Sequence, residues 1–350
     1  MNKTNRERID SLRNEHAALS EDLKILLGTL DENEEAALFK AAFDTCTENY
    51  GDDVYIRGLI EFSNYCKNGC LYCGIRNGNK NADRYRLSEQ EILDCADAGY
   101  ELGFRTFVLQ GGEDPYFTDE IMVPIVKKLK EAHGDCAVTL SLGERSRESY
   151  QKLFDAGADR YLLRHETITP EHYRMLHPDN MSLENRLQCL ENLREIGYQV
   201  GCGIMVGSPG QTTDDLVADL QFMKRFRPHM VGIGPFIPHA DTPFANEKQG
   251  SVETTLRLLA LIRLLMPAVL LPATTALGTA DPLGREKGIR AGANVIMPNL
   301  SPVTVRNKYM LYDGKICTGE EAAECIRCTE GRIAYAGRRM VIGRGDSRVK

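Results

Sequence analysis

Hydrophobic and polar positions change period along the chain, and the two periods predict its secondary structure. Residues 4–27 and 31–49 carry Leu, Ile, Ala and Phe on one helical face and charged residues on the other, which predicts two amphipathic helices. Short apolar runs then alternate with helix-period segments. These runs predict eight strands, at 54–62, 105–109, 137–142, 160–164, 199–206, 230–237, 269–276 and 294–298.

The predicted strands are short and apolar on both faces, which is typical of a parallel sheet that is covered on both sides. Eight strands that alternate with helices predict an α/β fold, a (β/α)₈ TIM-type barrel. A partial barrel of six strands with two extra units is the alternative. We expect residues 1–50 to pack on the barrel as helices, residues 51–300 to form the barrel, and residues 301–350 to form a polar, cysteine-bearing appendage.

Composition narrows the class of protein. A net charge of -7 over 350 residues argues against nucleic acid or an anionic membrane as the main partner. The longest apolar stretch, 258–273, is interrupted by Arg263, Pro267 and Pro272, so it is too short to span a bilayer. The first residues lack the apolar core of a signal peptide. Eleven cysteines are therefore expected in a reducing, cytoplasmic compartment, where metal binding or catalysis is commoner than disulfide formation.

Unusual polar sequence follows several of the predicted strands, where the active residues of a barrel enzyme are found. The first strand is followed by a CxxxCxxC run, and the second by Gln110-Gly-Gly-Glu-Asp. His165, Glu166 and Thr167 follow the fourth strand. We therefore expect one site at the carboxyl ends of the strands.

The CxxxCxxC run consists of Cys66, Cys70 and Cys73, with Gly69 and Gly74 beside them. Thiolates are soft ligands that suit iron–sulfur clusters or zinc. Three of them can hold three irons of a cubane cluster and leave the fourth iron open to a small chelating molecule. Structural zinc usually has four protein ligands, and no further Cys or His follows at a suitable local spacing. An iron–sulfur cluster is the favoured interpretation, and zinc is the alternative.

CxxxCxxC with an aromatic residue, Tyr72, before the last cysteine resembles the signature of the radical S-adenosylmethionine (SAM) superfamily. The resemblance implies a 4Fe-4S cluster on Cys66, Cys70 and Cys73, with SAM at the open iron. It also implies that an external reductant supplies one electron and that SAM is cleaved to a 5′-deoxyadenosyl radical. The protein then contributes positioning, electron delivery and exclusion of water.

Six further residues, together with Tyr72, are candidates for binding SAM. Gly111, Gly112 and Glu113 match the superfamily's GGE motif, which implies contact with the methionine ammonium; an ordinary glycine turn is the alternative. Glu166 could accept hydrogen bonds from the ribose hydroxyls or the ammonium. Arg186 could pair with the methionine carboxylate, although it could also be a solvated helix charge. Ser141, on the third strand, is a candidate sugar contact and completes the set.

Within the superfamily, the chain resembles the HydE family of FeFe-hydrogenase maturases nearly end to end. The stretches that carry this resemblance are 60–74, 140–146, 159–167, 230–239, 272–276 and 292–299. The resemblance implies assembly of the binuclear iron subcluster of FeFe-hydrogenase, together with other maturation proteins. Biotin synthase and methylornithine synthase share the barrel and first motif but resemble these stretches less. A non-catalytic, zinc-stabilised scaffold or metallochaperone is the alternative from another class.

The HydE resemblance implies an anionic small-molecule iron complex as the substrate. We therefore expect cations and hydroxyls inside the barrel, and Arg57, Arg160, Thr274 and Thr275 are the candidates. A buried arginine is costly without a partner, so an inward arginine would indicate an anion site. The alternative is that both arginines point to the outside or the bottom of the barrel.

A second cysteine group, Cys317, Cys325 and Cys328, has the spacing Cx₇CxxC. The spacing alone indicates a possible metal site. Some HydE members have a C-terminal three-cysteine site, so the resemblance implies a second cluster here, 2Fe-2S or 4Fe-4S, in an accessory role. Zinc with a distant fourth ligand is the alternative.

Overall fold

The computed structural model describes residues 3–319 and 322–349, without the side chains of residues 322–325. Its helices are α1 (Asn5–Glu15), α2 (Ser20–Leu27), α3 (Glu32–Tyr50), α4 (Glu89–Glu101), α5 (Asp119–Ala132), α6 (Arg147–Asp155), α7 (Pro170–Leu176), α8 (Leu183–Ile196), α9 (Thr213–Phe226), α10 (Val252–Leu265), α11 (Thr275–Ala280), α12 (Gly284–Arg290), α13 (Val303–Arg306) and α14 (Ala322–Tyr335). Its strands are β1 (Asp53–Ile56), β2 (Gly58–Ser63), β3 (Thr106–Gly111), β4 (Ala137–Ser141), β5 (Arg160–Leu162), β6 (Gln199–Cys202), β7 (Met205–Val206), β8 (Met230–Val231), β9 (Gly234–Pro235), β10 (Val295–Ile296) and β11 (Arg339–Val341).

The strands form a parallel barrel with helices outside it, which confirms the predicted TIM-like α/β fold. One continuous sheet of six strands has the order β2-β3-β4-β5-β6-β8. Further parallel contacts continue around the ring: Met230 with Leu270, Pro272 with Val295, and Asn299 with Leu59. The last of these contacts returns to β2, so the ring closes.

The seventh predicted strand, 269–276, is irregular. It contributes single bridges at Leu270 and Pro272, and α11 has already begun at Thr275. Proline has no backbone N–H to give to a neighbouring strand, so Pro272 interrupts the hydrogen-bond ladder. The chain still runs through the seventh position of the ring.

The first predicted strand, 54–62, divides at Arg57 into two strands with different neighbours. β1 lies between β10 and β11, whereas β2 pairs with β3. All six residues of β2 are buried, including Glu61, as expected for a strand covered on both faces. β2 leads directly into the cysteine run, so this buried strand fixes where the cysteines begin.

The N-terminal residues form three helices where two were predicted. Residues 4–27 divide into α1 and α2 because His16 adopts a left-handed conformation, φ 52°, and ends α1. The Nδ1 atom of His16 lies 2.9 Å from the carbonyl oxygen of Leu264 on α10, which ties the break to the barrel's outer layer. Among the described helices, none is long and apolar enough to cross a lipid bilayer.

The C-terminal residues reach both ends of the barrel. Residues 307–317 lie near the carboxyl ends of the strands, where Gly74 N–H donates to the Leu311 carbonyl. After α14, β11 adds to β1, and residues 344–347 bind at the amino ends of the strands through Thr106 and Gln199. The division into three domains stays a prediction.

Candidate active site

The cysteine loop, residues 64–87, leaves the carboxyl end of β2 and is held by polar side chains. Asn64 donates to the carbonyls of Asp83 and Lys308 and accepts from Tyr85 N–H. The Arg84 guanidinium donates to four carbonyls along the loop, those of Asn64, Ile75, Arg76 and Asn79. These bonds satisfy backbone groups that no helix or strand pairs, so the loop has a defined shape.

Cys66, Cys70 and Cys73 are free thiols that line one cavity of about 300 Å³. Burial raises the pKa of all three thiols, and the charges of the other cysteines raise the pKa of Cys70 and Cys73 further, that of Cys73 to about 12. Three thiolates in one cavity would need a compensating cation, and bound iron would supply one. The donor set therefore fits a cluster held by three cysteines.

Gly74 shows how tightly the end of the loop is packed. A Cβ atom at this position would lie 2.2 Å from the Met310 carbonyl oxygen and 2.3 Å from the His239 ring. Only glycine allows the chain after Cys73 to pass between these two groups. Cys73 thereby stays against the C-terminal segment that covers the cavity.

The glycine motif after β3 lies directly against the cysteine loop. A Cβ atom on Gly112 would lie 2.2 Å from the carbonyl oxygen of Tyr65, and Gly112 N–H donates to the Ser63 carbonyl. Glu113 accepts a 3.0 Å hydrogen bond from the backbone N–H of Glu144 and is 3.3 Å from the Lys67 ammonium. Gly111, Gly112 and Glu113 all line the cavity, so the motif forms the wall beside the thiols.

Ser141, Glu166 and Arg186 form the next part of the wall. Arg186 is enclosed by acidic groups: its Nε atom lies 2.7 Å from Glu144 and its guanidinium 3.9 Å from Glu113. Its pKa is raised because these carboxylates outweigh the effect of burial. Arg186 is buried, which corrects the alternative of a solvated helix charge.

Tyr72 also lines the cavity, and His177 holds its hydroxyl at 3.4 Å. The Nδ1 atom of His177 lies 2.9 Å from the carbonyl oxygen of Tyr173, so Nδ1 carries the hydrogen and Nε2 accepts from Tyr72. Burial lowers the pKa of His177 to about 4, which keeps the ring neutral at pH 7. His177 thus fixes the tyrosine inside the cysteine run.

Several residues that line the same cavity were not predicted from the sequence. These are Arg164, Met181, Tyr309, Leu311 and Tyr312. The three from the C-terminal segment reach the cavity only because that segment packs across the barrel, for which the sequence carries no local signal. Arg164 precedes the predicted His165-Glu166-Thr167 group, and its position at a strand end could have identified it.

The predicted substrate-binding residues do not lie together. Thr274 lines the cavity, but Thr275 points aside and accepts a 3.2 Å hydrogen bond from Arg285. Arg57 and Arg160 are buried near the amino ends of the strands, the end opposite the cavity. Arg160 binds Asp346 at 2.6 Å, and an Arg57 guanidinium nitrogen is 3.4 Å from the Gly345 carbonyl. This corrects the predicted substrate contact: both arginines bind the C-terminal segment, because Arg160 begins β5 and Arg57 directly precedes β2, at the amino ends of the strands.

The second cysteine group is only partly described. Cys317 has a left-handed backbone, φ 63°, and its Sγ atom lies 3.6 Å from the Arg285 guanidinium. Cys328 is exposed. The Cys325 side chain lies outside the described residues, so the predicted trio stays a prediction.

Residues 60–223 match the model of the Radical SAM superfamily. This range begins in β2 and contains the cysteine run, the glycine motif, Ser141, Glu166 and Arg186. The barrel, the three thiols at its mouth and this match define the chain as a radical SAM enzyme, and the superfamily implies a 4Fe-4S cluster and SAM as its cofactors.

Comparison with curated proteins narrows the family. The chain is 53% identical to the [FeFe] hydrogenase maturase subunit HydE of Thermotoga maritima over 91% of each chain. It is 32% identical to the 3-methylornithine synthase of Methanosarcina acetivorans, over 79% of this chain and 78% of that protein. The chain belongs to the HydE family, as its sequence resemblance predicted.

Solved structures support the TIM-like α/β fold. A crystal structure of methylornithine synthase (PylB) superposes with a TM-score of 0.84 at 26% identity, over 95% of this chain and 97% of that one. A crystal structure of HydG, a maturase of the [FeFe]-hydrogenase, has a TM-score of 0.74 at 25% identity, over 84% of this chain and 68% of that one.

Proposed function

We propose that this chain holds a 4Fe-4S cluster on Cys66, Cys70 and Cys73 and cleaves SAM reductively to begin assembly of the binuclear iron subcluster of FeFe-hydrogenase. One observation carries the proposal. The three thiols and all seven residues predicted to bind SAM line a single cavity at the carboxyl ends of the strands. These seven are Tyr72, Gly111, Gly112, Glu113, Ser141, Glu166 and Arg186.

When bound, the cluster and SAM supply a carbon radical through one-electron cleavage, and the residues of this chain supply the binding. Glu113 and Glu166 provide carboxylates for the ammonium and ribose groups. Arg186 is fixed in the cavity wall by Glu144 at 2.7 Å, and its guanidinium would pair with the carboxylate of the methionine group. Tyr72, Tyr309 and Leu311 line the cavity and exclude water from the reacting groups.

The HydE relative supports hydrogenase maturation as the target reaction. We propose an anionic small-molecule iron complex as substrate, because the cavity also contains a guanidinium and hydroxyls. Arg164, Thr274, Tyr309 and Tyr312 are the side chains that offer them. Other hydrogenase maturation proteins would deliver the complex and accept the product, and a separate reductant would supply the electron.

We also propose an accessory metal centre at Cys317, Cys325 and Cys328, either an iron–sulfur cluster or zinc. Arg285 lies beside Cys317 and would offset the negative charge of a thiolate there.

The ten cysteines whose side chains are described are all free thiols, which supports a reducing, cytoplasmic compartment.

Anaerobic reconstitution with iron and sulfide, followed by SAM cleavage and a hydrogenase maturation assay with the partner maturases, tests the proposal. We expect a reducible cluster, formation of 5′-deoxyadenosine, and active hydrogenase only when this chain is present. SAM cleavage without active hydrogenase, together with turnover of a biotin or methylornithine precursor, would favour the alternative enzymes. Zinc with neither iron nor sulfide in anaerobically purified protein would contradict both the proposed function and these alternative enzymes.

A further inference from the structure

Glu166 lines the cavity in a backbone conformation that its residue type disfavours. Its φ is 64°, in the left-handed region, where a side chain with a Cβ atom crowds its own backbone. Conformations of this kind persist only where the surrounding structure determines them fully. Some neighbouring group must therefore hold this residue, and the contacts of residues 165–168 identify it.

The turn formed by residues 165–168 is fixed at both of its ends. At one end, the backbone N–H of Glu166 donates to the Gly203 carbonyl at 3.0 Å, and Glu166 bridges Ile204 in the barrel wall. At the other end, the N–H of Ile168 donates to the Oδ1 atom of Asp219 at 2.6 Å. The left-handed residue lies between these two fixed points.

Asp219 also holds the residue before Glu166. The Nε2 atom of His165 lies 3.2 Å from the same Oδ1 atom, and the His165 ring packs edge-on against Phe222. The side chains of Asp219 and His165 are both 0% exposed. One carboxylate on α9 therefore binds residue 165 and residue 168, on either side of Glu166.

A fully buried carboxylate is costly unless its contacts compensate. Burial raises the pKa of Asp219, and its Oδ2 atom has no hydrogen-bond partner among the described residues. A hydrophobic side chain at this position of α9 would avoid that cost, as Leu220 beside it does at 0% exposure. The buried Asp219 carboxylate therefore has a structural role: it holds His165 and Ile168 of the turn.

The turn directs the Glu166 carboxylate into the cavity. Its Oε2 atom lies 2.7 Å from the Arg164 guanidinium, and both residues line the cavity. If the turn relaxed to an ordinary right-handed conformation, the Glu166 side chain would no longer point into the cavity. The position of the carboxylate therefore depends on a residue that does not itself line the cavity.

We propose that Asp219 is a positioning residue for SAM binding, which acts by holding the turn 165–168 so that Glu166 faces the cosubstrate. The proposal rests on the proposed function, in which Glu166 contacts SAM. Asp219 touches no part of the cavity, so its effect on binding passes through Glu166.

A double-mutant cycle separates this role from general support of the fold. SAM affinity is measured by equilibrium dialysis on anaerobically reconstituted Asp219→Ala, Glu166→Gln and the double variant. We expect each single variant to bind SAM about tenfold more weakly, as expected when a strained, positioned group is released. The double variant should be no weaker than Glu166→Gln alone, since residues that act as one unit are not additive.

Two further variants control for loss of stability. Asp219→Asn keeps an oxygen for both hydrogen bonds and should bind SAM within about threefold of the wild type. Leu220→Ala opens a cavity at the next position of the same helix and keeps both Asp219 contacts, so it should lower the melting temperature and leave SAM affinity unchanged. The cluster's electron paramagnetic resonance signal without SAM should be the same in all variants.

The outcomes are distinguishable. If the wild type binds no SAM, the proposed function fails. If Glu166→Gln weakens binding while Asp219→Ala does not, or if their effects are additive, the proposal for Asp219 is overturned. An equal loss of affinity in Leu220→Ala would overturn it as well, because helix stability would then account for the effect.

Discussion

The Nζ atom of Lys315 lies 2.6 Å from the Oε1 atom of Glu61 inside the barrel. The side chains are 6% and 2% exposed, and Asn299 donates to the other carboxylate oxygen at 2.8 Å. Lys315 also donates to the Tyr309 carbonyl at 2.9 Å. This buried ion pair therefore fastens the C-terminal segment that lines the cavity to β2, five residues before the first cysteine of the cluster motif.

Replacing Lys315 with methionine should destabilise the protein strongly. The change leaves the Glu61 carboxylate buried without its cation, which typically costs about 3–5 kcal/mol of unfolding free energy. Denaturant unfolding of the variant measures this loss. The matched control is Lys308→Met, which removes a partly exposed pair with Asp83 and should cost no more than about 1 kcal/mol. Equal losses in the two variants would contradict a special role for the buried pair.

Replacing Cys70 with alanine should abolish SAM cleavage without unfolding the chain. The variant removes one of the three thiols at the barrel mouth, so the cluster loses a ligand. The measurements are iron and sulfide content, the electron paramagnetic resonance spectrum, and 5′-deoxyadenosine formation. Cys46→Ala is the control, because Cys46 is a buried thiol of α3 and should leave all three unchanged. A Cys70→Ala variant that still cleaves SAM would refute the cluster assignment.

The residues of the candidate site that follow a strand could be predicted from the sequence. Every parallel strand ends at the same edge of the barrel, so residues far apart in sequence, such as Gly112, Ser141 and Glu166, meet there without any knowledge of side-chain contacts. The three cysteines needed only their spacing. This part of the prediction depended on topology, which local hydrophobic periods determine well.

Other residues could not be predicted because tertiary contacts decide their role. Lys315 and Glu61 are 254 positions apart, and no local pattern indicates that the C-terminal segment returns to β2. Arg57 and Arg160 lie in predicted apolar strands. An arginine in such a strand fits an anion site inside the barrel and a contact at the bottom of the barrel equally well. Their partners, Gly345 and Asp346, lie in a segment without a strand or helix signal. Only the structure shows at which end of the barrel the two arginines lie.

Replacing Gly112 with alanine should impair the site while leaving most of the barrel intact. The new Cβ atom would lie 2.2 Å from the Tyr65 carbonyl oxygen and 2.8 Å from the Cys66 Cβ atom, so the cysteine loop must move. We expect reconstituted protein with less iron and SAM binding weakened at least about tenfold, because positioning within the cavity is lost.

The control for this variant lies in the cysteine loop, against which Gly112 packs. A Cβ atom on Gly78 would lie 3.6 Å from its nearest neighbour, the flexible Arg76 side chain, so Gly78→Ala should behave as the wild type. If Gly112→Ala also incorporated iron and bound SAM normally, the close packing of the glycine motif on the cysteine loop would not matter for function.

Asp346 should make stability depend on pH in a defined window. Burial acts to raise the pKa of Asp346, but hydrogen bonds from Arg344 and Arg160 outweigh it and hold the pKa far below its usual value of 3.8. A carboxyl whose pKa is lowered by folding stabilises the folded state above the unfolded pKa, and this contribution is lost as the pH falls toward the folded value. Asp346→Asn should therefore be less stable than the wild type at neutral pH.

The expected difference in unfolding free energy is about 1 kcal/mol, since the Asp346 side chain is 41% exposed and solvent screens the pair. Urea unfolding at a series of pH values measures it. The difference between wild type and Asp346→Asn should stay constant from about pH 8 to about pH 5 and then narrow as the pH falls below the usual carboxyl pKa. A difference that persists unchanged in acid would mean that Asp346 stabilises the C-terminal segment by packing, and that its charge toward Arg160 contributes nothing.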